Sequence, residues 1–134
     1  RNNLVYVPQG NTLFSGTVRE NLLMGDPEAG DRQMWAVLDV AEAGFVRSLA
    51  GGLDARIGEI GAGLSEGQSQ RIAIARGLLR PGSILLLDEF SSSLDQETER
   101  RLLKNLSENY GNKTIIFITH RDAVLDYCDA VLRL

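Results

Sequence analysis

Three short runs of the chain are almost continuously apolar: Leu4 to Val7, Ile84 to Leu87 and Thr114 to Ile118, with Ala130 to Leu134 a weaker fourth. Each is rich in leucine or β-branched residues, as expected of strands in a parallel sheet covered on both faces. Between them the apolar spacing becomes helical. A first helix is predicted from Thr17, where Thr17 and Glu20 fit a capping box, to Gly25-Asp26-Pro27. A second runs from about Arg32 to Ala43 and a third from Gly44 to Ala50. A fourth starts at Ser65 and stops before Pro81, because proline lacks the N–H a helix needs. A fifth covers Gln96 to Tyr110, capped by Ser93 or Asp95, and Asp122 to Tyr127 make a short last one. Residues 12 to 62 carry no strand signal and read as a helical insertion. The second half alternates strand and helix, so the predicted class is α/β, a mostly parallel sheet with helices plus a helical subdomain.

A length of 134 residues allows one domain with a real core. Net charge is -4, and among the scattered basic residues only Arg100 and Arg101 are adjacent. No basic stripe exists, so direct binding to nucleic acid is not expected. Cys128 is the sole cysteine, which excludes an internal disulfide and reads as a small half-buried side chain. The apolar runs fall far short of the ~20 residues of a membrane span. Arg1-Asn2-Asn3 has neither an initiator methionine nor a signal-peptide pattern, and reads as a position inside a longer protein.

Three segments could carry chemistry. In Gly61-Ala62-Gly63-Leu64-Ser65-Glu66-Gly67-Gln68, a capping box by spacing follows glycines that strip side chains from the helix start. The N–H groups there and the helix dipole could bind a phosphate; an ordinary capped helix after a glycine-rich turn explains the pattern equally well. Asp88 and Glu89 close a buried strand, at the edge where open α/β sheets bind ligands. A carboxylate there can hold Mg²⁺ and its neighbour can deprotonate a water, or the two can be solvated acids leaving the sheet. His120, the only histidine, ends the Ile115 to Ile118 run and shares that edge if the strands are parallel. A lone histidine is otherwise more often structural.

In this order, the segments closely resemble the ATPase domain of ABC transporters, over nearly the whole chain. Leu64 to Gln68 resembles the family signature, Ile84 to Glu89 the Walker B strand with its catalytic glutamate, Ser92-Ser93-Leu94-Asp95 the loop after it, and His120 the switch histidine. Gln9, before Asn11 to Asn21, resembles the Q-loop glutamine. Gly58, Glu59 and Gly61 resemble a short loop typical of exporters. The resemblance implies a partial P-loop NTPase-type fold divided into residues 1–11 (core strand and Q-loop), 12–80 (helical subdomain with the signature) and 81–134 (C-terminal part of the α/β core). It implies ATP and Mg²⁺ as cofactors. Glu89 would be the general base and His120 would contact the γ-phosphate. Asp88 and Gln9 would hold the metal. Ser65, Gly67 and Gln68 would cap ATP on a second ATPase domain in a head-to-tail dimer, with Asp95 at the interface. Gln9 and Glu59 would face the transmembrane domain of the same transporter, at the cytoplasmic face of the membrane.

Two departures matter. Glu66 stands where the signature usually has glycine, which predicts weaker trans binding of a triphosphate. No Gly-x-x-x-x-Gly-Lys-Ser/Thr loop occurs in the chain, so Glu89 is present without the residues that cradle phosphates. The expectation is an ATPase piece of an exporter that is inactive by itself, its exposed sheet edges open to dimerisation. Two other readings are an ATPase head from a DNA-repair or translation protein and a non-enzymatic regulatory module. The absence of heptads in residues 12 to 62 counts against the first. The presence together of Gln9, Asp88, Glu89 and His120 counts against the second.

Overall fold

A computed structural model describes residues 3–8, 12–57, 63–89, 94–119, 124–125 and 128–131. Its main sheet has three strands, β1 (Leu4–Val7), β4 (Ile84–Asp88) and β5 (Thr114–Ile118), in the order β1-β4-β5 and all parallel. Two further strands, β2 (Gly16–Thr17) and β3 (Arg56–Ile57), pair antiparallel in a small second sheet. The helices are α1 (Val18–Leu23), α2 (Asp31–Val40), α3 (Glu66–Leu79) and α4 (Gln96–Asn109).

The α/β class and the three main strands agree with the sequence pattern. Thr17 and Ser65 both cap their helices through complete capping boxes, and Asp95, of the two candidates, caps α4. Four expectations are corrected. The insertion contains β2 and β3, whose two residues each are too short to show alternation. Gly44–Ser48 forms a 3₁₀ helix rather than an α-helix, ending where Leu49 turns to extended backbone. The second helix stops at Val40, because Glu42 takes a left-handed φ of 59° and reverses the chain. The sheet is covered on one face only among the described residues: Val5, Val7, Leu85 and Leu87 are buried, while Leu4 and Tyr6 are 53% and 52% exposed and Ile116 and Ile118 each 45%. Continuous apolarity therefore marks two faces of different fate. Ala130 and Val131 are not in a strand; Leu132 to Leu134, and most of the predicted last helix, lie outside the described residues.

α3 is the central element. Nine of its 14 residues are buried, including Ile72, Ala73, Ile74, Ala75 and Leu78, more than a helix with a single buried stripe would show. One side rests on the sheet, where a Cβ on Gly77 would lie 2.8 Å from Val7 Cγ2 and 3.6 Å from Val5 Cγ1. Gly77 thus lets the helix backbone approach β1. The other sides meet α1 and α2, placing Leu22, Met34 and Leu38 in the same core. α4 adds Leu102, Leu103 and Leu106. Cys128 is half-buried; its Sγ donates to the Val124 carbonyl at 3.3 Å, and burial, with Asp129 nearby, pushes the thiol pKa up. It is a packed group rather than a reactive one. No described helix is long and apolar enough to cross a membrane.

Candidate functional site

Because β1, β4 and β5 are parallel, their carboxyl ends lie at one edge of the sheet. That edge is where loops leaving an open α/β sheet form a ligand crevice. Asp88 is the last residue of β4, in register with Ile118 of β5, and accepts a hydrogen bond at Oδ2 from the Tyr6 hydroxyl of β1 at 3.0 Å. This bond raises the Tyr6 pKa, since the phenol donates to a carboxylate and would lose that attraction on ionising. Three side-by-side strands thus contribute Tyr6, Asp88 and the backbone of Ile118 to one edge.

Glu89 follows with φ of 50°, a left-handed conformation that non-glycine residues seldom adopt. Its N–H donates to the Ile118 carbonyl at 2.8 Å, so β5 holds the turn in place. Backbone strain over-determined by neighbours is a feature that clusters at functional sites. The consequence is that the chain turns immediately after Asp88, at the carboxyl end of β4. Pro8 and Thr119, the described residues just before Gln9 and His120, lie at the same edge; Gln9, His120 and Glu59 themselves lie outside the described residues.

The start of α3 lies at the same end of the sheet. Gln70 Nε2 donates to the Pro8 carbonyl at the end of β1, whereas Gly82, beyond the helix, meets Asn3 at the beginning of β1. α3 therefore runs antiparallel to β1. Ser65, five residues before Gln70, extends about 7 Å further beyond the edge at the ~1.5 Å rise of a helix. Ser65 Oγ accepts from Gln68 N at 3.1 Å, and Gln68 Oε1 accepts from Ser65 N at 2.9 Å. Both residues are thus occupied with each other. Gly67 is buried, and Glu66 is exposed. Asp95 accepts from the Thr98 N–H at 2.8 Å and the Thr98 hydroxyl at 3.0 Å, which hold its carboxyl below the usual range.

Three charged groups that sequence reasoning does not single out tie the elements together. Glu42 accepts from Arg101 Nε at 2.7 Å and from Asn105 Nδ2 at 2.8 Å, while its carbonyl accepts from Arg71 at 2.7 Å. This joins the end of α2 to α3 and α4. Arg71, whose pKa burial lowers, also lies over the Phe45 ring. Arg76 joins α3 to the segment before β2 through Thr12. Only a residue type typical of left-handed turns could have flagged position 42, and glutamate gives no such warning.

Among the described residues no three histidine, cysteine or acidic side chains converge to form an all-protein metal cage. A magnesium ion bound with a phosphate substrate needs only one or two protein carboxylates, and the hard oxygens of Asp88 suit it.

Comparison with known proteins accords with this arrangement. Residues 1–92 match the family described as ABC transporter. The chain is 42% identical over 130 residues to a probable multidrug resistance ABC transporter ATP-binding/permease protein, YheI of Bacillus subtilis, covering 95% of this chain and 22% of that protein. It is 42% identical over 132 residues to the glutathione/L-cysteine transport system ATP-binding/permease protein CydD of Haemophilus influenzae, covering 98% and 22%. It is also 40% identical over 134 residues to the mouse ATP-binding cassette sub-family C member 10, covering 98% and 9%. The chain spans less than a quarter of the length of these relatives. With strand order, capping box and acidic edge in place, the match fixes the assignment: the chain belongs to the ATP-binding domain of the ABC transporter family, and its homologues include exporter-type ATP-binding/permease proteins.

Proposed function

We propose that this chain is part of the ATP-hydrolysing domain of an exporter, one that couples ATP binding and hydrolysis to movement of a substrate across a membrane. The observation that carries the reading is the acidic edge: Asp88 and Glu89 at the end of β4, with the strands leading to Gln9 and His120 ending beside them. The domain divides into residues 1–11, 12–80 and 81–134, as core strand with Q-loop, helical subdomain with signature, and remaining core.

Glu89 acts as general base toward the attacking water, its backbone held by the Ile118 carbonyl. Asp88 and Gln9 would hold Mg²⁺, which when bound supplies charge neutralisation to the phosphates. His120 contacts the γ-phosphate. Ser65, Gly67 and Gln68 present the start of α3 to ATP on the opposite domain of a head-to-tail dimer, where N–H groups and dipole favour an anion. Asp95 lies at that interface. Glu59 and the Gln9 segment meet the transmembrane domain at the cytoplasmic face. The chain alone is inactive, because none of its residues forms a glycine-rich lysine loop.

The test is Glu89→Gln in the transporter carrying this chain. Turnover is expected to stop while ATP binding persists, since the base is lost and the phosphate grip is not. Hydrolysis at the wild-type rate would end the assignment. For the chain alone, calorimetry with ATP and Mg²⁺ is expected to show no tight stoichiometric binding.

A further inference from the structure

We propose that Gln70 and Arg76 are positioning residues that fasten Pro8 and Thr12, the two flanks of the Pro8–Thr12 connection, to α3, so that these flanks and the signature helix move as one piece. The proposal rests on the proposed function of the site, because its effect on turnover passes through Gln9 within that connection.

Gln70 is 1% exposed, a polar side chain enclosed in the core. Its Nε2 donates to the Pro8 carbonyl at 3.2 Å, which fastens the upstream flank. Six residues further along α3, Arg76 donates to the Thr12 carbonyl at 3.2 Å and the Thr12 hydroxyl at 2.9 Å, fastening the downstream flank. The same guanidinium lies 5.5 Å from the Phe14 ring centroid. Asn21 then holds the Phe14 backbone on both sides: Phe14 N–H donates to Oδ1 at 2.8 Å, and Nδ2 donates to the Phe14 carbonyl at 2.9 Å.

The choice of arginine is informative. Desolvation lowers the Arg76 pKa, and the next influence on it is another cation, Arg80. Its hydrogen bonds go to neutral oxygens of Thr12, so no Coulombic gain from a carboxylate offsets burial. An apolar side chain would fill that place at lower cost. What arginine adds is a rigid planar fork that fixes position and angle together. Gln70 likewise gains little stability over an apolar residue, but it joins α3 to a particular carbonyl. With both flanks fastened to one rigid helix, a displacement of Ser65 must be felt at Pro8 and Thr12.

The test compares Gln70→Met, Arg76→Met and Arg76→Lys in the transporter carrying this chain, reading kcat and KM for ATP, melting temperature, and amide hydrogen exchange. Each Met variant is expected to lower kcat about tenfold through misplacement of the connection, with KM for ATP changed less than about twofold. Arg76→Lys is expected to recover part of the loss, and exchange at Leu13 to Ser15 to accelerate in Arg76→Met. Wild-type kcat in both Met variants would overturn the proposal, as would a loss that merely tracks the unfolded fraction. Should wild type and Glu89→Gln hydrolyse ATP alike, the proposed function of the site fails by itself. The exchange data then still decide the fastening, which unchanged protection at Leu13 to Ser15 in Arg76→Met would refute.

Discussion

Gly25 lies where the end of α1 meets the interior of α3, and replacing it with alanine tests the packing that holds the signature helix. A Cβ there would sit 2.3 Å from the Arg76 carbonyl oxygen and 3.2 Å from both the Arg76 carbonyl carbon and the Leu22 oxygen. The oxygen belongs to helix backbone, so no side-chain rotation can relieve the contact. The two helices must part by roughly 0.8 Å, a gap that forfeits a quarter or more of each dispersion contact across the interface. Val18, Leu22 and Ile72, all fully buried, are among the side chains affected. Overpacking of this kind costs about 1–3 kcal/mol. Gly25 is absent from the positive-φ glycines, so alanine also restricts the unfolded chain and returns about 0.4–1 kcal/mol. Central values of about 2 and about 0.7 kcal/mol leave a net loss of about 1.3 kcal/mol, read as a urea midpoint lowered by about 0.6 M at an unchanged slope of about 2 kcal/mol/M. Gly111→Ala is the control, because a Cβ there would make one ordinary contact, 3.5 Å from the Ser107 oxygen. Its midpoint is expected to move by less than about 0.3 M. Equal midpoints for Gly25→Ala and wild type would refute the steric reasoning.

Asn21→Asp keeps the acceptor for Phe14 N–H but turns two donated hydrogen bonds, to the Phe14 and Thr17 carbonyls, into oxygen–oxygen contacts in a buried site. The new carboxyl's folded pKa then lies above its unfolded value, so the variant is least destabilised below about pH 4, where its single O–H replaces one of the two donors, and loses further stability as pH rises through the folded pKa; a pH-independent difference in melting temperature would contradict this. Asp95 has the opposite sign: its pKa is lowered by the Thr98 N–H and hydroxyl, so its contribution is complete above about pH 4 and is lost as pH falls through the folded value. Asp95→Asn keeps the cap and removes that titration, and a smaller acid-side fall in melting temperature than in wild type is the expected result. Ser65→Ala is expected to cost about 1 kcal/mol by unfolding measurements, and Ser65→Asp to cost almost nothing, because Asp caps as well as Ser. In the complete ATPase domain, Ser65→Asp is nevertheless expected to weaken ATP-driven dimerisation, and undiminished dimerisation would remove Ser65 from the nucleotide contact.

Much of this architecture is legible in residue order because its signals are local. A capping box is a spacing of three, so Thr17–Glu20 and Ser65–Gln68 stand out from the sequence alone. Asp88 and Glu89 can be placed at a sheet edge because a compact apolar run leads into them. The Tyr6–Asp88 bond is not legible, since it depends on the register of strands 82 residues apart. Neither is the left-handed backbone of Glu42 and Glu89, because glutamate carries none of the bias toward positive φ that Gly or Asn would show. Gln70 and Arg76 escape for a related reason: both donate to backbone oxygens, and a carbonyl partner leaves no mark in the sequence. The exposed face of the sheet escapes because Leu4, Ile116 and Ile118 are as apolar as their buried neighbours.

The residues that the resemblance assigns to the dimer interface and its nucleotide in trans are also residues that begin helices. Ser65 and Gln68 satisfy each other at α3, and Asp95 satisfies Thr98 at α4. The coincidence has a physical basis. A helix start concentrates N–H groups that lack intrahelical partners, and both a side-chain cap and a phosphate answer the same need. Loss of function in an alanine variant at these positions would therefore conflate a loosened helix with a lost contact. Charge separates the two roles, since a cap tolerates an added negative charge whereas a triphosphate is repelled by it. Glu66 already supplies one such charge, exposed on the first turn of α3 beside the capped Ser65. The helix tolerates it, and that is what a cap requires. A glycine at position 66 would remove the repulsion without disturbing the Ser65–Gln68 box, so Glu66→Gly should tighten ATP-driven association of the complete domain even as it lowers helix propensity by about 0.5 kcal/mol.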